Sequence, residues 1–177
     1  MLAEARQAPQ AVADQLAHNA DDYRDFGAVL RLQNPAAVLT VARGSSDHAA
    51  HFLAYLVMAR MGRLVTSLPM SLITLYQSQI ACKGLVSLAF SQSGQSPDLV
   101  APTRFFSEGG AVTAAFVNKA DSPLAKAAQW VFPLHAGTEA SVAATKSYIA
   151  QLVAGARVVA AWQGDAELQS ALSALPN

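Results

Sequence analysis

Two runs in this chain, Ala36-Ala37-Val38-Leu39-Thr40-Val41-Ala42 and Leu85-Val86-Ser87-Leu88-Ala89-Phe90, are apolar almost without interruption. A strand with one wet face alternates apolar and polar side chains. A run without alternation is buried on both faces, which marks a parallel sheet covered by helices on each side. Each run ends at a glycine flanked by hydroxyl side chains and then passes into a helical pattern. Gly44-Ser45-Ser46-Asp47 precedes residues 48–61, and Ser91-Gln92-Ser93-Gly94-Gln95-Ser96-Pro97-Asp98 precedes residues 99–108, whose end is marked by Gly109-Gly110.

The remaining chain continues the alternation. Val12, Leu16, Asn19, Tyr23, Phe26 and Leu30 recur at helical spacing and predict an opening helix of about twenty residues, closed by Pro35. Residues 65–68, 111–117 and 130–132 read as strands, and residues 71–80 and 124–128 as helices. Val142, Thr145, Ile149, Leu152, Val153, Ala156, Val159 and Ala160 define one face of a long helix, with another helical segment over 165–175. With right-handed crossovers, this order predicts an α/β fold, a three-layer α-β-α sandwich with a five-stranded parallel sheet.

At 177 residues the chain is long enough for one domain with a buried core and short for two. Hydrophobic residues make up 53% and charged residues only 14%, which leaves apolar surface for a partner subunit or a second domain. Lys plus Arg is 12 and Asp plus Glu is 12, so there is no field of one sign to hold nucleic acid. The single Cys82 excludes an intrachain disulfide and fits a reducing compartment. Residues 1–10 lack the continuous apolar run of a secretory signal, and residues 148–162 are broken by Gln151 and Arg157. A cytoplasmic protein without membrane or nucleic-acid partners is expected.

The turn after the 85–90 strand carries the densest chemistry. Gly94 permits a tight bend, and the free amides of the following helix start point their N–H groups at whatever sits above the strand ends. Ser91, Ser93 and Ser96 add hydroxyl donors and Gln92 adds an amide, so a phosphate can be gripped without any lysine. Ser96-Pro97-Asp98 also reads as an ordinary N-cap and helix start, but capping does not account for polar residues at 91, 92 and 93. Arg43-Gly44-Ser45-Ser46 repeats the layout, and two such turns on neighbouring strands face one another where strand order switches. Neither has the Gly-x-Gly-x-x-Gly or Gly-Lys-Ser/Thr spacing, so no nicotinamide, flavin or ATP cofactor is expected. Arg43 is placed to add charge near the phosphate, or to face solvent or a subunit. His48 and His51 lie three apart on a helix with no third ligand beside them in sequence, and no metal is expected.

A third cluster runs from Gly137-Thr138-Glu139 through Ser141 to Thr145-Lys146. Glu139 reads either as a proton carrier or as a helix cap that pairs with Lys146. A lysine in the first turn of a helix opposes the helix dipole, so Lys146 points to a specific partner or a ligand.

With these three loops, the chain resembles the sugar isomerase (SIS) domain, particularly the first of two such domains in glucosamine-6-phosphate synthase and in related sugar-phosphate deaminases and deglycases. The resemblance runs from the opening helix to about Trp162. It implies that Ser91, Ser93 and Ser96 hold the phosphate, that Gln92 and Ser46, next to Ser45, contact phosphate or sugar, and that Val142 and position 144 lie beside the sugar. Where the synthase branch has serine, this chain has Ala144; Gln95 replaces a glutamate, and Ser96-Pro97-Asp98 replaces a threonine-led turn. Those departures look more like the deaminase, deglycase and amino-sugar isomerase branch. Nothing matches the glutamine-cleaving domain, and Cys82 lies too deep in the chain to serve as its nucleophile. The ring-opening histidine, enolising glutamate and Schiff-base lysine of two-domain relatives belong to the second domain or the C-terminal tail, and nothing here matches them.

The expected organisation is an N-terminal helical segment over 1–34 packed on a phosphosugar-binding domain over 35–177. That unit reads as half of a chain about twice as long, with 175–177 where a linker would begin, or as a domain completed by dimerisation. The expected function is aldose-ketose isomerisation with amine release on an amino-sugar phosphate such as glucosamine 6-phosphate. Glu139 is the candidate proton carrier within this half, and Lys146 a candidate substrate contact. The alternatives are an aminotransferase-like isomerase domain without its glutaminase, and a non-catalytic phosphosugar sensor. The sensor would need a DNA-binding head, and the opening helix offers Arg24 and Arg31 balanced by Asp14, Asp21, Asp22 and Asp25.

Overall fold

The computed structural model describes residues 1–141 and 143–176. Its strands are β1 (Ala37–Val41), β2 (Leu64–Ser67), β3 (Val86–Ser91), β4 (Val112–Val117) and β5 (Trp130–Pro133). They form one sheet in the order β2-β1-β3-β4-β5, with every neighbouring pair parallel. The helices are α1 (Leu2–Ala5), α2 (Ala8–Leu16), α3 (Ala20–Gln33), α4 (Ser45–Met61), α5 (Ser71–Thr74), α6 (Pro97–Glu108), α7 (Pro123–Ala127), α8 (Lys146–Gln163) and α9 (Ala166–Ser173). This is the three-layer sandwich with a five-stranded parallel sheet that the uninterrupted apolar runs predict.

Both faces of the sheet are dry. Along β3, Val86, Leu88 and Phe90 join Phe26, Leu53 and Val158 from α3, α4 and α8 on one side. Ala89 joins Leu99 and Phe106 of α6 and Leu124 of α7 on the other. Phe90, Phe116 and Phe132 stand in register across β3, β4 and β5, with successive ring centroids 4.6 and 5.1 Å apart. Each ring contributes about 1.5–3 kcal/mol through burial, and the row fixes the strand ends that carry the turns described below. Among the described residues, no helix is long and apolar enough to cross a membrane.

Three helices differ from their sequence pattern. The single opening helix is divided: α2 ends at Leu16, and α3 begins after Asn19, which takes a left-handed conformation at φ 60°. Asparagine tolerates that conformation, and its side chain is engaged on both ends, with Nδ2 donating to Asp22 and Oδ1 meeting His135. The helix predicted over 71–80 stops at Thr74 because the chain folds back, the Ser78 amide donating to the Leu72 carbonyl and Gln77 taking φ 50°. The long helix starts only at Lys146. Thr145 is its non-helical N-cap, so position 145 lies outside the predicted stripe, and Val142 lies outside the described residues.

Candidate functional site

β1 and β3 are neighbours at the point where strand order reverses, so their C-terminal turns sit side by side. Gly44 caps α4 at φ 58°, ψ −134° with open space around it, so backbone conformation alone demands glycine there. Ser45 is exposed and Ser46 buried in the first turn of α4. Arg43 Nη1 donates to Asp98 Oδ2 at 2.5 Å, joining the turn after β1 to the start of α6.

The turn after β3 is self-bonded. The Gly94 amide donates to Ser91 Oγ at 3.0 Å and the Gln95 amide to Ser93 Oγ at 3.3 Å. A hydroxyl that accepts a backbone N–H keeps its own proton to donate, so both serines remain donors toward a ligand. Ser96 occupies the N-cap of α6 but makes no side-chain capping bond, so ordinary capping does not use its hydroxyl. Gly94, at φ 64°, packs so closely that an added Cβ would lie 2.2 Å from Ser122 Oγ. Its carbonyl accepts the Leu124 amide at 3.1 Å.

The segment from β5 to α8 is held from outside. Asn118, at the end of β4, accepts the Ala136 amide at 2.9 Å and donates to the Gly137 carbonyl at 2.7 Å. Glu139 Oε1 accepts from the Thr145 amide at 2.8 Å and the Thr145 hydroxyl at 2.9 Å, while the Ser147 hydroxyl donates to Oε2. Burial pushes the Glu139 carboxyl up, but the hydrogen bonds from Ser147 and Thr145 outweigh it and hold the group below the ordinary carboxylate range. Of the two sequence readings for Glu139, capping of α8 is realised. The expected pairing with Lys146 is not, because buried Lys146 Nζ donates instead to Gln7 Oε1 at 2.7 Å. Glu4 of α1 accepts the Ala140 amide at 2.6 Å and the Ser141 hydroxyl, and these bonds bring its carboxyl down to about 2.

A cavity of about 830 Å³ opens over the ends of β3, β4 and β5. It brings together Gln92, Ser93 and Glu139 from the sequence candidates, with Asn118, His18 and His135 on its walls. Ser45, Ser46, Ser91, Ser96, Ala144 and Lys146 are not among its lining residues. The open volume is therefore displaced along the sheet from the β1/β3 switch, and the turn after β3 stands between the two. A smaller cavity of about 330 Å³ lies among α2, α3, α8 and α9 and includes no strand-end turn. His48 and His51 are both exposed on α4, with Asp47 3.7 Å from His51. Among the described residues, no group of three or more His, Cys, Asp or Glu is placed to hold a metal.

Sequence reasoning passed over Asn118, His18 and His135. Asn118 was detectable in principle, because it is the first polar residue after a buried strand, the same station that Ser91 and Arg43 mark. The two histidines were not, because they meet across 117 positions of sequence only after the break at Asn19 turns α2 toward β5.

The chain is 30% identical over 154 residues to the glutamine-fructose-6-phosphate aminotransferase (isomerizing) of Sulfolobus acidocaldarius, covering 86% of this chain and 25% of that protein. It is 30% identical over 171 residues to the enzyme of the same name from Symbiobacterium thermophilum, covering 93% and 28%. The chain thus spans about a quarter of the length of these curated relatives. Among solved structures, a protein of Silicibacter pomeroyi DSS-3 with a provisional phosphosugar isomerase name superposes with a TM-score of 0.94 at 43% identity, over 98% of this chain and 53% of that one. The C-terminal domain of glucosamine-fructose-6-phosphate aminotransferase from Francisella tularensis shares the fold, with a TM-score of 0.79 at 22% identity over 99% and 52% of the two chains. The family model for the SIS domain matches residues 31–161, from the end of α3 through most of α8, and the chain belongs to the SIS domain family.

Proposed function

We propose that this chain is the phosphosugar-binding domain of an amino-sugar phosphate isomerase or deaminase. The phosphate sits on the turn after β3, and the sugar carbons extend into the cavity over β3 to β5. The observation that carries this reading is the self-bonded turn: Ser91 and Ser93 are oriented by the amides of Gly94 and Gln95, and Ser96 keeps its hydroxyl uncommitted at the start of α6. Uncharged donors at a helix N-terminus suit a phosphate dianion, and Ser45 and Ser46 on the neighbouring turn extend the grip. Gln92 and Ser93 belong both to that turn and to the cavity wall, so they join phosphate to sugar.

Binding the non-reacting phosphate fixes the carbons between which a proton moves, and that part of catalysis falls to this chain. Isomerisation also needs a base between C1 and C2 and an acid for ring opening. The carboxylate of Glu139 is engaged at the start of α8, so its role in this reading is to position the loop that carries Ala144 and Lys146. The proton carriers then come from a second SIS domain or a second copy. Phe52, Tyr55 and Met58 are exposed on α4, an apolar face suited to such a partner.

Calorimetric titration with glucosamine 6-phosphate, fructose 6-phosphate and inorganic phosphate tests the binding claim. All three should bind, and Ser93→Ala should weaken each about tenfold, the loss expected for a hydrogen bond to a charged group. Release of ammonia together with ketose phosphate by the full-length protein tests the chemistry. A chain that binds none of the three ligands would sink the reading.

A further inference from the structure

His18, at the end of α2, and His135, after β5, stack face to face with ring centroids 4.4 Å apart and planes 17° from parallel. Both line the cavity that also holds Gln92 and Ser93. Their hydrogen bonds fix the proton on each ring. His18 Nδ1 lies 2.6 Å from the Asp14 backbone carbonyl, which can only accept, so Nδ1 carries the proton. His135 Nε2 lies 2.9 Å from Asn19 Oδ1. The Asn19 amide cannot be turned around, because its Nδ2 donates to the Asp22 carboxylate at 2.8 Å. Oδ1 therefore accepts, and Nε2 of His135 carries the proton. In their neutral forms the two rings are opposite tautomers, with His18 Nε2 and His135 Nδ1 as the acceptors.

We infer that this histidine pair is the sugar-reading wall of the cavity, taking hydrogen bonds from ligand hydroxyls through its bare ring nitrogens while the turn after β3 takes the phosphate. The inference rests on the phosphosugar reading above and adds to it the residues that distinguish a sugar phosphate from phosphate alone. A wall of acceptors complements the donors around it. Ser93, Gln92 and the helix-start amides offer protons to phosphate oxygens, whereas sugar hydroxyls must also find acceptors for their own protons. Burial is the largest cause lowering the pKa of His135; a proton on the stacked His18 and the charge of Arg157 lower it further, against an opposing pull from Asp14. Arg157 itself is turned away, with its guanidinium donating to the Gln15 and His18 carbonyls. The charged groups on the cavity wall are Asp14 of α2, Lys119, after β4, and the α8-capping Glu139.

The test is titration calorimetry on the 177-residue chain and its His18→Phe and His18→Gln variants, with glucosamine 6-phosphate, fructose 6-phosphate and, as the probe of the phosphate grip alone, inorganic phosphate. His18 is exposed and its change leaves the core untouched. Phenylalanine keeps the stack but removes the acceptor, so phosphosugar affinity should fall about tenfold, the loss of one hydrogen bond, while inorganic phosphate binds as before. Glutamine, whose Oε1 can stand near the Nε2 position, should restore most of the loss. Phosphosugar affinity unchanged in His18→Phe would overturn the inference while leaving the phosphate site intact. Binding of none of the ligands by the parent chain would overturn both readings. Imidazole nitrogen NMR gives a second check: His18 protonated at Nδ1 and His135 at Nε2 are expected, and either opposite tautomer overturns the inference.

Discussion

The turn after β3 and the loop between β5 and α8 both border the cavity, yet they are held in contrasting ways. The turn sets its hydroxyls from within, Ser91 and Ser93 accepting amides two or three positions away, and its Gly94 and Gln92 carbonyls accept the Leu124 and Asn118 amides. The loop is fixed by residues remote in sequence: Glu4 bonds Ala140 from 136 positions away, Gln7 bonds Lys146 from 139, and Asn19 meets His135 from 116. The hydroxyls of the phosphate grip are therefore set by neighbours in sequence, whereas the loop adds to its Glu139 and Asn118 bonds a support drawn from the N-terminal helices. Local opening free energies differ within one fold for this reason, and the loop is the part of the site able to loosen while the turn stays formed.

The strongest way to break the comparison is at Gly94. Gly94→Ala forces a Cβ into a φ of 64° and to within 2.6 Å of Ser122 Cβ. The left-handed backbone costs about 1–2 kcal/mol, and overpacking adds about 1–3 kcal/mol. Ser122 also accepts the Ala125 amide to cap α7, so pushing it aside loses that bond as well. Urea unfolding should show a loss of about 3 kcal/mol or more, and the double change Gly94→Ala with Ser122→Gly should regain the steric part. Recovery of nothing would mean that the backbone conformation, not the close approach, is what the turn cannot lose.

The loop is probed at its carboxylates. Glu139→Ala removes the acceptor for the Thr145 and Ser147 amides and should cost about 1–2 kcal/mol, as a lost helix cap does. Hydrogen exchange should speed up at Thr145 and Ser147 while the Gly94 amide keeps its protection. The pH dependence has a definite sign. Glu139 and Glu4 have folded-state pKa values below their ordinary 4.5, so each contributes fully above that value and loses its contribution as pH falls. For Glu4 the hold on Ala140 and Ser141 lasts until pH falls through about 2. Acid should thus open the loop while the serine-bonded turn, which has no carboxylate among its internal bonds, stays closed. Equal acid sensitivity of the two would contradict the contrast between them.

The same contrast explains what the sequence made legible. The parallel sheet, its five strands and the turn after β3 could be read because burial on both faces and a serine-glycine bend leave their marks within a few adjacent residues. Glu139 was ambiguous because a carboxylate before a helix suits capping and proton transfer equally, and the capping is seen only once Thr145 and Ser147 stand around it. The partner of Lys146 could not be read at all, since Gln7 belongs to a helix that packs there only in the folded chain. The break at Asn19 was hidden for a related reason: residues 12–30 keep helical spacing across it, and one of the two bonds its side chain makes there is to the distant His135.

The smallest effect belongs to a bond that links the two strand-end turns. Arg43 and Asp98 meet at 2.5 Å, but their side chains are 61% and 44% exposed, so water screens the pair and its contribution is about 0.2–1 kcal/mol. Asp98 also stands in the first turn of α6, where a negative charge is favoured by the helix dipole, while Arg43 directly precedes the N-cap of α4, where a positive charge is disfavoured. Arg43→Gln should therefore remove the ion pair and relieve that opposition, and Asp98→Asn should remove the pair and a favourable dipole contribution together. The difference between their unfolding free energies at low salt isolates the dipole part. At 1 M salt, where the screening length is about 3 Å, the pair's share should largely vanish. An effect of Arg43→Gln that survives such salt, or that exceeds the effect of Asp98→Asn, would mean that Arg43 bridges the turns by more than an exposed ion pair, and that the turn after β3 is less self-sufficient than its internal bonds indicate.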